Sequence, residues 1–256
     1  MTSVINGIGL LVYNFIESAG SMLFMLFETF YTLFTTPLKL KNVVKQMDFI
    51  GVKSLFVVVL TGLFAGMVLA LQSYYAFKMF RAESLIGVTV ALSMLRELGP
   101  VLGSLMVTAR AGSAIAAELG SMRVTEQIDA MEVMGVNPIR YLIVPRVVAG
   151  MIVVPILVAL VDFIGVIGGY LIGVKVLGVN EGVFWDRIFQ FVKTGDLNNG
   201  LIKAVFFGFI LTFIACYTGY NAEKGAVGVG KATTQSVVIS SVMILMADYI
   251  LTAFLF

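Results

Sequence analysis

The sequence contains no histidine, only one cysteine and few charged residues. Without histidine it cannot build a Ser-His-Asp triad, histidine-based acid–base catalysis or most zinc sites. The single cysteine, Cys216, cannot form a disulfide within the chain, and its apolar surroundings are typical of a small core residue. The formal net charge of +2 is too small to indicate a nucleic-acid partner. We therefore expect neither an enzyme nor a metal site.

What the sequence has in abundance is apolar residues. Hydrophobic residues make up 59% of the 256 positions and charged residues only 12%, whereas soluble domains are about 25% charged. Such a chain belongs in a lipid bilayer. No lysine or arginine precedes Lys39, so the basic region of a cleaved signal peptide is lacking. We predict an all-α integral membrane protein, with one domain over residues 1–256.

The first 45 residues differ from the rest, because acidic residues interrupt their apolar pattern. Glu17 and Glu28 leave no clean run of the length that a span needs. Large apolar residues nevertheless recur there at helical spacing: Leu23, Leu26, Phe27, Phe30 and Phe34. The pattern predicts a helix in the plane of the interface, followed by a basic link over 37–45. The alternative is a poor first span.

Residues 46–256 form the predicted transmembrane bundle. We expect about five transmembrane helices, at about 50–77, 84–109, 147–174, 200–220 and 235–256. Gly62 and Gly66 form a GxxxG motif, which allows a close helix–helix approach. Basic residues concentrate on one side of this arrangement, in the N-terminal link, in 110–146 and in 221–234. This bias predicts a cytoplasmic N-terminus and an outer C-terminus.

The second span carries charges, which are costly inside a membrane. Arg96 and Glu97 lie near its middle and Pro100 follows them; a central charge costs about 2.5–3.5 kcal/mol on insertion scales. Proline removes a backbone donor, so we expect a kinked or re-entrant helix. The candidate intramembrane partners are Lys203, whose ammonium could snorkel to the interface, and Asp248. The alternative is an ion pair that only fixes packing.

Residues 125–135 predict a short amphipathic helix between the second and third spans. Thr125 is its expected N-cap, and Gly135 and Pro138 end it. One face is apolar and the other acidic. The apolar residues are Ile128, Met131 and Met134, and the acidic ones are Glu126, Asp129 and Glu132. The pattern is equally typical of a docking element and of a solvated loop helix.

Residues 225–231, GAVGVGK, resemble a phosphate-binding P-loop only superficially. That motif needs Ser or Thr directly after its lysine and a strand before it, but Ala232 follows here and a membrane span precedes. We therefore expect no nucleotide, metal or other cofactor on this chain. If the protein uses ATP, another chain hydrolyses it.

The longest distinctive stretch resembles a known family. ALSMLRELGPVLGSLMVTARAGSAIAAELGSMRVTEQIDAMEVMGVNPIRYLIVPR is similar to the MlaE (YrbE-type) permeases, the membrane subunits of bacterial ABC transporters that move phospholipids. The similarity extends to GLFAGMVLALQ, FWDRIF, GVGKATTQSVV and DYILTAFLF, and covers nearly the whole chain after about residue 45.

The resemblance implies a homodimer in the bacterial inner membrane. The implied partners are a cytoplasmic ABC ATPase that uses ATP and Mg²⁺, a periplasmic MCE-domain lipid-binding protein and a small STAS-domain protein. The implied role is phospholipid movement between the inner membrane and the MCE protein, which contributes to outer-membrane lipid asymmetry. No partner is a nucleic acid.

The resemblance also assigns sites. It places a phospholipid near Arg96 and Glu97, and it makes 125–135 the coupling helix on the ATPase. For the apolar wall of the lipid site we predict residues of the first span's outer half: Leu69, Ser73, Phe77 and Phe80.

Other functions compete with this one. The main alternative is an ion-coupled secondary transporter that uses Glu97 and Asp248 as proton or ion sites. A lipid-modifying enzyme would need a nucleophile or metal cluster that the sequence lacks. A purely structural scaffold would not explain the charges in the second span.

Overall fold

The chain is mostly helical in the part that the structure describes, with short turns and links between the helices. The computed structural model describes the backbone of residues 2–35 and 37–255, and side chains from residue 16 onward within those ranges. None of these residues lies in a strand. The helices are α1 (Thr2–Thr35), α2 (Leu40–Ile50), α3 (Leu55–Lys78), α4 (Ile86–Ser93), α5 (Gly99–Val107), α6 (Ser113–Val124), α7 (Gln127–Val133), α8 (Val144–Tyr170), α9 (Glu181–Phe191), α10 (Thr194–Tyr220) and α11 (Ala226–Leu255). The all-α class is confirmed, and both ends of the predicted 1–256 domain lie outside the described residues.

Short irregular helices join several of these elements. Two are 3₁₀ turns, Val52–Ser54 and Glu83–Leu85. The others are π-helical: Met94–Leu98, Thr108–Gly112, Ile139–Ile143 and Leu171–Val176. A π segment is wider than an α turn and is frequent at functional sites. Each of these four contains one basic residue, which makes them the first places to look for function.

Five stretches of the described chain are long and apolar enough to cross a membrane. They are Leu40–Lys78, Glu83–Val124, Ile139–Val176, Thr194–Tyr220 and Ala226–Leu255. The predicted number of spans is therefore confirmed by length and composition. These helical stretches are longer than the predicted spans, and the second continues past 109 to Val124. The small residues of α6 let it pack closely against α10 and α11.

The path of the second span is only partly settled by its secondary structure. Its residues are helical from Glu83 to Val124, with π segments before and after α5. A kink or a re-entrant path therefore stays a prediction. What the π segments do establish is that Arg96 and Glu97 lie on a widened turn.

Helix α8 forms the centre of the bundle, where it packs against α3 and α10. The GxxxG motif of α3 makes the first of these contacts. A Cβ added at Gly66 would lie 1.8 Å from the carbonyl oxygen of Gly165, and one at Gly62 would lie 2.9 Å from that of Val161. Both distances are far below van der Waals contact, so only glycine permits this approach.

Helix α1 exposes several large apolar side chains, although Met25 is buried in the core. Phe27 and Phe34 are 68% and 82% exposed, whereas Thr29 and Thr32 are buried. Large apolar side chains that point outward and threonines that point inward suit a helix in contact with lipid, because a threonine hydroxyl can bond within its own helix. Thr29 does so, to the carbonyl oxygen of Met25 at 2.7 Å. The interfacial position of α1 stays a prediction.

The five spans alternate in direction, so their connections collect at two ends. Segments 125–138 and 221–225 lie at one end, called here the α7 end. Segments 79–85 and 177–193 lie at the other, called here the α9 end.

Candidate functional site

A buried lysine organises the charged residues inside the bundle. Lys203 in α10 is fully buried, and its Nζ donates hydrogen bonds to Glu97 Oε2 at 2.7 Å, Asp248 Oδ1 at 3.0 Å and Thr252 Oγ1 at 2.7 Å. The expectation that Lys203 snorkels to the interface was therefore wrong. Acceptors from two other helices offset the cost of burying the ammonium. The structure does bring together Glu97, Lys203 and Asp248, as the sequence predicted.

The neighbouring arginine has a different partner. Arg96 Nε and Nη2 both lie close to Asp196 Oδ1, at 2.8 and 2.7 Å, and Asp196 is nearly buried. The other carboxylate oxygen of Asp196 accepts from the backbone N–H of Lys193 at 2.9 Å, at the start of α10. Sequence reasoning missed Asp196 because it lies before the predicted start of the fourth span at about 200. An acidic residue at the third position of a helix was the available signal.

Pro100 and the π segment explain how one backbone stretch serves both partners. Proline has no N–H, so the carbonyl of Arg96 lacks the donor that an α-helix supplies four residues later. Lys203 Nζ donates to that carbonyl at 3.0 Å. We call Arg96, Glu97, Asp196, Lys203 and Asp248, with Thr252, the polar cluster.

The polar cluster has a closed interior and an open rim. Its two cations and three carboxylates give a formal net charge of −1 from the residues just described. The side chains of Arg96 and Glu97 are 40% and 38% exposed, whereas that of Lys203 is fully buried. Within the described residues, no group of histidine, cysteine and acidic side chains is placed to hold a metal ion. The rim therefore offers one positive and one negative group, which suits a ligand that carries both charges.

An apolar groove lies on the outer face of α3. It is a shallow, open groove of about 600 Å³, and Leu98, the residue after Glu97, lines one side of it, although no side chain of the polar cluster does. The other lining residues are Leu60, Thr61, Phe64, Ala65, Val68, Leu69 and Gln72. A charged rim beside an apolar groove is the chemistry of an amphiphile site.

The predicted apolar wall residues are not all brought together. Leu69 lines the groove. Ser73 is buried in the bundle, Phe77 packs against the core, and Phe80 is exposed beyond the end of α3. Sequence reasoning missed Phe64 and Val68, which are exposed on the same face of α3. Phe64 and Val68 are four residues apart, one helical turn, which was the signal, but this spacing is common in any apolar helix.

The short amphipathic helix exists as α7, but its start differs from the prediction. Thr125 does not cap it; its hydroxyl donates to the carbonyl of Ser121 at 2.8 Å, so Thr125 closes the preceding helix. The N-cap position is Glu126, whose φ of 58° is left-handed. The reason is that α6 and α7 are joined by a tight turn with no room for a separate capping residue.

The predicted docking residues of α7 divide by exposure. Ile128 is fully buried and Met131 packs against the core, so both attach α7 to the bundle. Glu126, Asp129, Glu132 and Met134 are exposed. Val133, which sequence reasoning missed, is 89% exposed beside Met134. An apolar pair at the end of an otherwise acidic helix is unusual for a solvated surface.

Two contacts hold the acidic face of α7 in place. Arg123 forms a salt bridge with Asp129 at 2.5 Å, and the hydroxyl of Tyr220 donates to Glu132 Oε1 at 3.0 Å. Arg123 lies on α6 and Tyr220 on α10, so these contacts link α7 directly to two transmembrane helices.

Comparisons with known proteins agree with this architecture. The family model described as Permease MlaE matches residues 43–254. A probable ABC transporter permease protein of Rickettsia conorii is 47% identical over 254 residues, which are 99% of this chain and 98% of the relative.

Two further relatives come from other organisms. The intermembrane phospholipid transport system permease protein MlaE of Haemophilus influenzae is 44% identical over 260 residues, covering 100% of this chain and 98% of the relative. The chloroplastic protein TRIGALACTOSYLDIACYLGLYCEROL 1 of Arabidopsis thaliana is 38% identical over 84% of this chain and 62% of the relative. By the extent of these matches, the chain belongs to the MlaE permease family.

Proposed function

We propose that this chain is the membrane permease subunit of an ABC transporter that moves phospholipids between the bacterial inner membrane and a periplasmic lipid-binding MCE protein. In this role it contributes to the lipid asymmetry of the outer membrane. The name of the Haemophilus relative, a permease of intermembrane phospholipid transport, supports this substrate class. The permease name of the Rickettsia relative supports the ABC transporter.

One observation carries the proposal: Leu98, which lines the apolar groove of α3, directly follows Glu97 of the polar cluster in the chain. A phospholipid has a charged headgroup and long apolar chains. The exposed guanidinium of Arg96 and carboxylate of Glu97 suit the phosphate and any amine of the headgroup, and the groove suits an acyl chain. Lys203 positions Glu97 from behind through its 2.7 Å hydrogen bond.

In the proposed mechanism, the ATPase acts on the permease at the α7 end. The chain itself binds no nucleotide; a cytoplasmic ATPase binds ATP and Mg²⁺ and docks on the exposed residues of α7. Closure of two ATPase subunits would move α7, and its contacts to α6 and α10 would pass that movement to Lys203 on α10. Movement of α10 would change the shape of the polar cluster and release the lipid.

The proposed assembly is a homodimer with its groove facing the partner subunit. Helices α3 and α11 support this, because both leave long apolar faces exposed, including Phe64 and Val68 on α3 and Met246 and Tyr249 on α11. The ATPase and a STAS-domain protein would bind the dimer at the α7 end, and the MCE protein would bind it at the α9 end. The proposed orientation thus has a cytoplasmic N-terminus and a periplasmic C-terminus.

The ion-coupled alternative is not favoured. Both of its proposed ion sites, Glu97 and Asp248, already hold Lys203. A lysine ammonium between two carboxylates leaves little room for an exchangeable cation. The Rickettsia relative is named as a probable ABC transporter permease.

The proposal is tested by lipid transfer in a reconstituted complex. Permease, ATPase and MCE protein in proteoliposomes should transfer a fluorescent phospholipid in an ATP-dependent way. The variants Arg96→Glu and Glu97→Arg should lose most of this transfer yet assemble with both partners. Normal transfer by both variants would refute a headgroup role for the polar cluster, and transfer that follows an ion gradient without ATP would support the alternative.

A further inference from the structure

A second polar site lies at the α7 end and shares no residue with the polar cluster. It is a crevice of about 200 Å³ between α2, α6 and the start of α8. Its polar lining residues are Asn42, Lys45, Gln46, Glu118, Tyr141 and Arg146. None of them belongs to the polar cluster, to the groove of α3 or to α7, so the proposed transport cycle does not use this crevice.

The crevice contains buried polar atoms that the chain does not satisfy. Arg146 is only 3% exposed; its Nη1 donates to the carbonyl of Leu142 at 2.7 Å, and its Nη2 pairs with Glu118 Oε2 at 3.0 Å. Its Nε is buried and has no acceptor among the described residues, and Gln46 Oε1 is buried there without a donor. A buried unpaired donor costs about 1–3 kcal/mol, so a ligand that supplies both an acceptor and a donor would be favoured.

The charge of the crevice favours an anion. Lys45 and Arg146 contribute two positive charges and Glu118 one negative charge, which leaves a formal +1 among the lining residues. A phosphodiester carries a single negative charge and oxygen acceptors for Arg146 Nε and Lys45. A hydroxyl next to the phosphodiester would supply the donor that Gln46 Oε1 lacks.

The surroundings of the crevice indicate that the anion belongs to a lipid. Helix α2 exposes Leu40 and Val44, at 71% and 62%, beside the charged Lys41 and Lys45. Exposed apolar residues next to lysines are typical of a helix at a membrane surface, and basic pockets between transmembrane helices at the cytoplasmic side bind anionic headgroups. A protein partner would be expected on α7, where the exposed residues are acidic and lie outside the crevice.

We propose that this crevice, formed by Arg146, Lys45 and Gln46, binds an anionic phospholipid of the cytoplasmic leaflet through its hydroxylated headgroup. The choice of leaflet rests on the orientation proposed above, in which the α7 end is cytoplasmic. This lipid is not the transported one. It fixes α2 to α6 and α8 at the end of the bundle where the ATPase is proposed to act.

Photo-crosslinking from Tyr141 tests the proposal. Tyr141 lines the crevice and is 42% exposed, so p-benzoylphenylalanine can replace it without disturbing the core. The protein is placed in phosphatidylcholine nanodiscs with or without phosphatidylglycerol, irradiated, and analysed by mass spectrometry. We expect the phosphatidylglycerol adduct to dominate even where phosphatidylcholine is in excess.

Variants then separate a built site from ordinary contact with lipid. Lys45→Ala should lower the phosphatidylglycerol adduct about tenfold, the effect of one charge-assisted hydrogen bond. Gln46→Leu should lower it less. Lys41→Ala, an exposed lysine on the same helix that does not line the crevice, is the matched control and should leave the yield unchanged.

Four results would overturn the proposal. Equal adducts from both lipids in every variant would mean ordinary boundary lipid. No lipid adduct would leave the crevice to water. Loss of the adduct on addition of inorganic phosphate would assign the site to the free ion. An adduct only to protein, in the complex with the ATPase, would make it a protein interface. Because no readout involves transport, failure here would leave the proposed transport function intact.

Discussion

Lys203 donates a 3.0 Å hydrogen bond to the backbone carbonyl of Arg96, the carbonyl that Pro100 deprives of its usual helical donor. The same ammonium bonds to the side chain of Glu97. One buried cation on α10 therefore fixes both the backbone and a side chain of the π segment. The charges of the second span are held in place from a different helix, which makes α10 the element whose movement would alter them.

Removal of the Lys203 ammonium should be strongly destabilising. In Lys203→Met, Glu97 and Asp248 lose their shared cation, and a broken buried pair costs about 3–5 kcal/mol. Thermal unfolding in detergent would show a lower midpoint. The matched control is the triple variant that adds Glu97→Gln and Asp248→Asn, which removes the uncompensated charge. It should recover most of the stability while lipid transfer stays lost; recovery of transfer as well would mean that the cluster is only structural.

The contact between Arg96 and Asp196 should contribute less to stability. Because Arg96 is 40% exposed at its side chain, water screens part of the interaction. We expect Asp196→Asn to cost about 1.5–3 kcal/mol, the range for a hydrogen bond to a charged group. A double-mutant cycle with Arg96→Gln measures the pairwise part. A coupling free energy indistinguishable from zero would show that Asp196 acts only through the helix start at Lys193.

The α3–α8 contact should not tolerate a single added methyl group. Gly66→Ala would place a Cβ 1.8 Å from a backbone oxygen of Gly165, which cannot move without the helix. Overpacking of this kind costs about 1–3 kcal/mol or more. Gly195→Ala is the control, because a Cβ there meets nothing within 4 Å and alanine favours a helix. Similar melting temperatures for the two variants would mean that α3 can shift away from α8.

The exposed apolar pair of α7 should matter more for ATPase binding than the buried residues do. We expect Val133→Ser with Met134→Ser, and separately Glu126→Lys, to reduce co-purification of the ATPase without a change in melting temperature. Ile128→Ala should instead lower the melting temperature and leave ATPase co-purification unchanged, because it creates a cavity at a buried position at a cost of about 2–5 kcal/mol. Full ATPase recovery with the Val133 and Met134 double variant would move the docking surface away from α7.

Sequence reasoning predicted the features that depend on local composition. Apolar stretches of sufficient length marked five spans, and a charged pair inside one of them marked Glu97 as a residue that needs a partner, since a bilayer leaves no alternative. The GxxxG motif identified a real helix contact, at Gly62 and Gly66. These predictions succeeded for the same reason. A bilayer makes a charged residue costly wherever it lies, so an exception to an apolar stretch can be recognised within a few residues of sequence.

What the sequence did not predict depends on which helices meet. The depth of Lys203 could not be known, because its burial requires Glu97 and Asp248, which lie over 100 residues before it and 45 after it. Asp196 was missed for the same reason. The second span was predicted to end at about 109, but the helix continues through α6 to Val124. The small residues of α6 are a weak apolar signal, and their role is to let α10 and α11 approach.

The orientation of the chain in the membrane can be tested without removing its native cysteine. Cys216 is fully buried, so a maleimide should not reach it in the folded protein. Glu126→Cys at the α7 end and Asp186→Cys at the α9 end place a second thiol at exposed positions. With a membrane-impermeant maleimide added to spheroplasts, we expect Asp186→Cys to be labelled and Glu126→Cys to be labelled only after lysis. The reverse pattern would place α7 outside, where no ATP is available, and would refute the proposed coupling to a cytoplasmic ATPase.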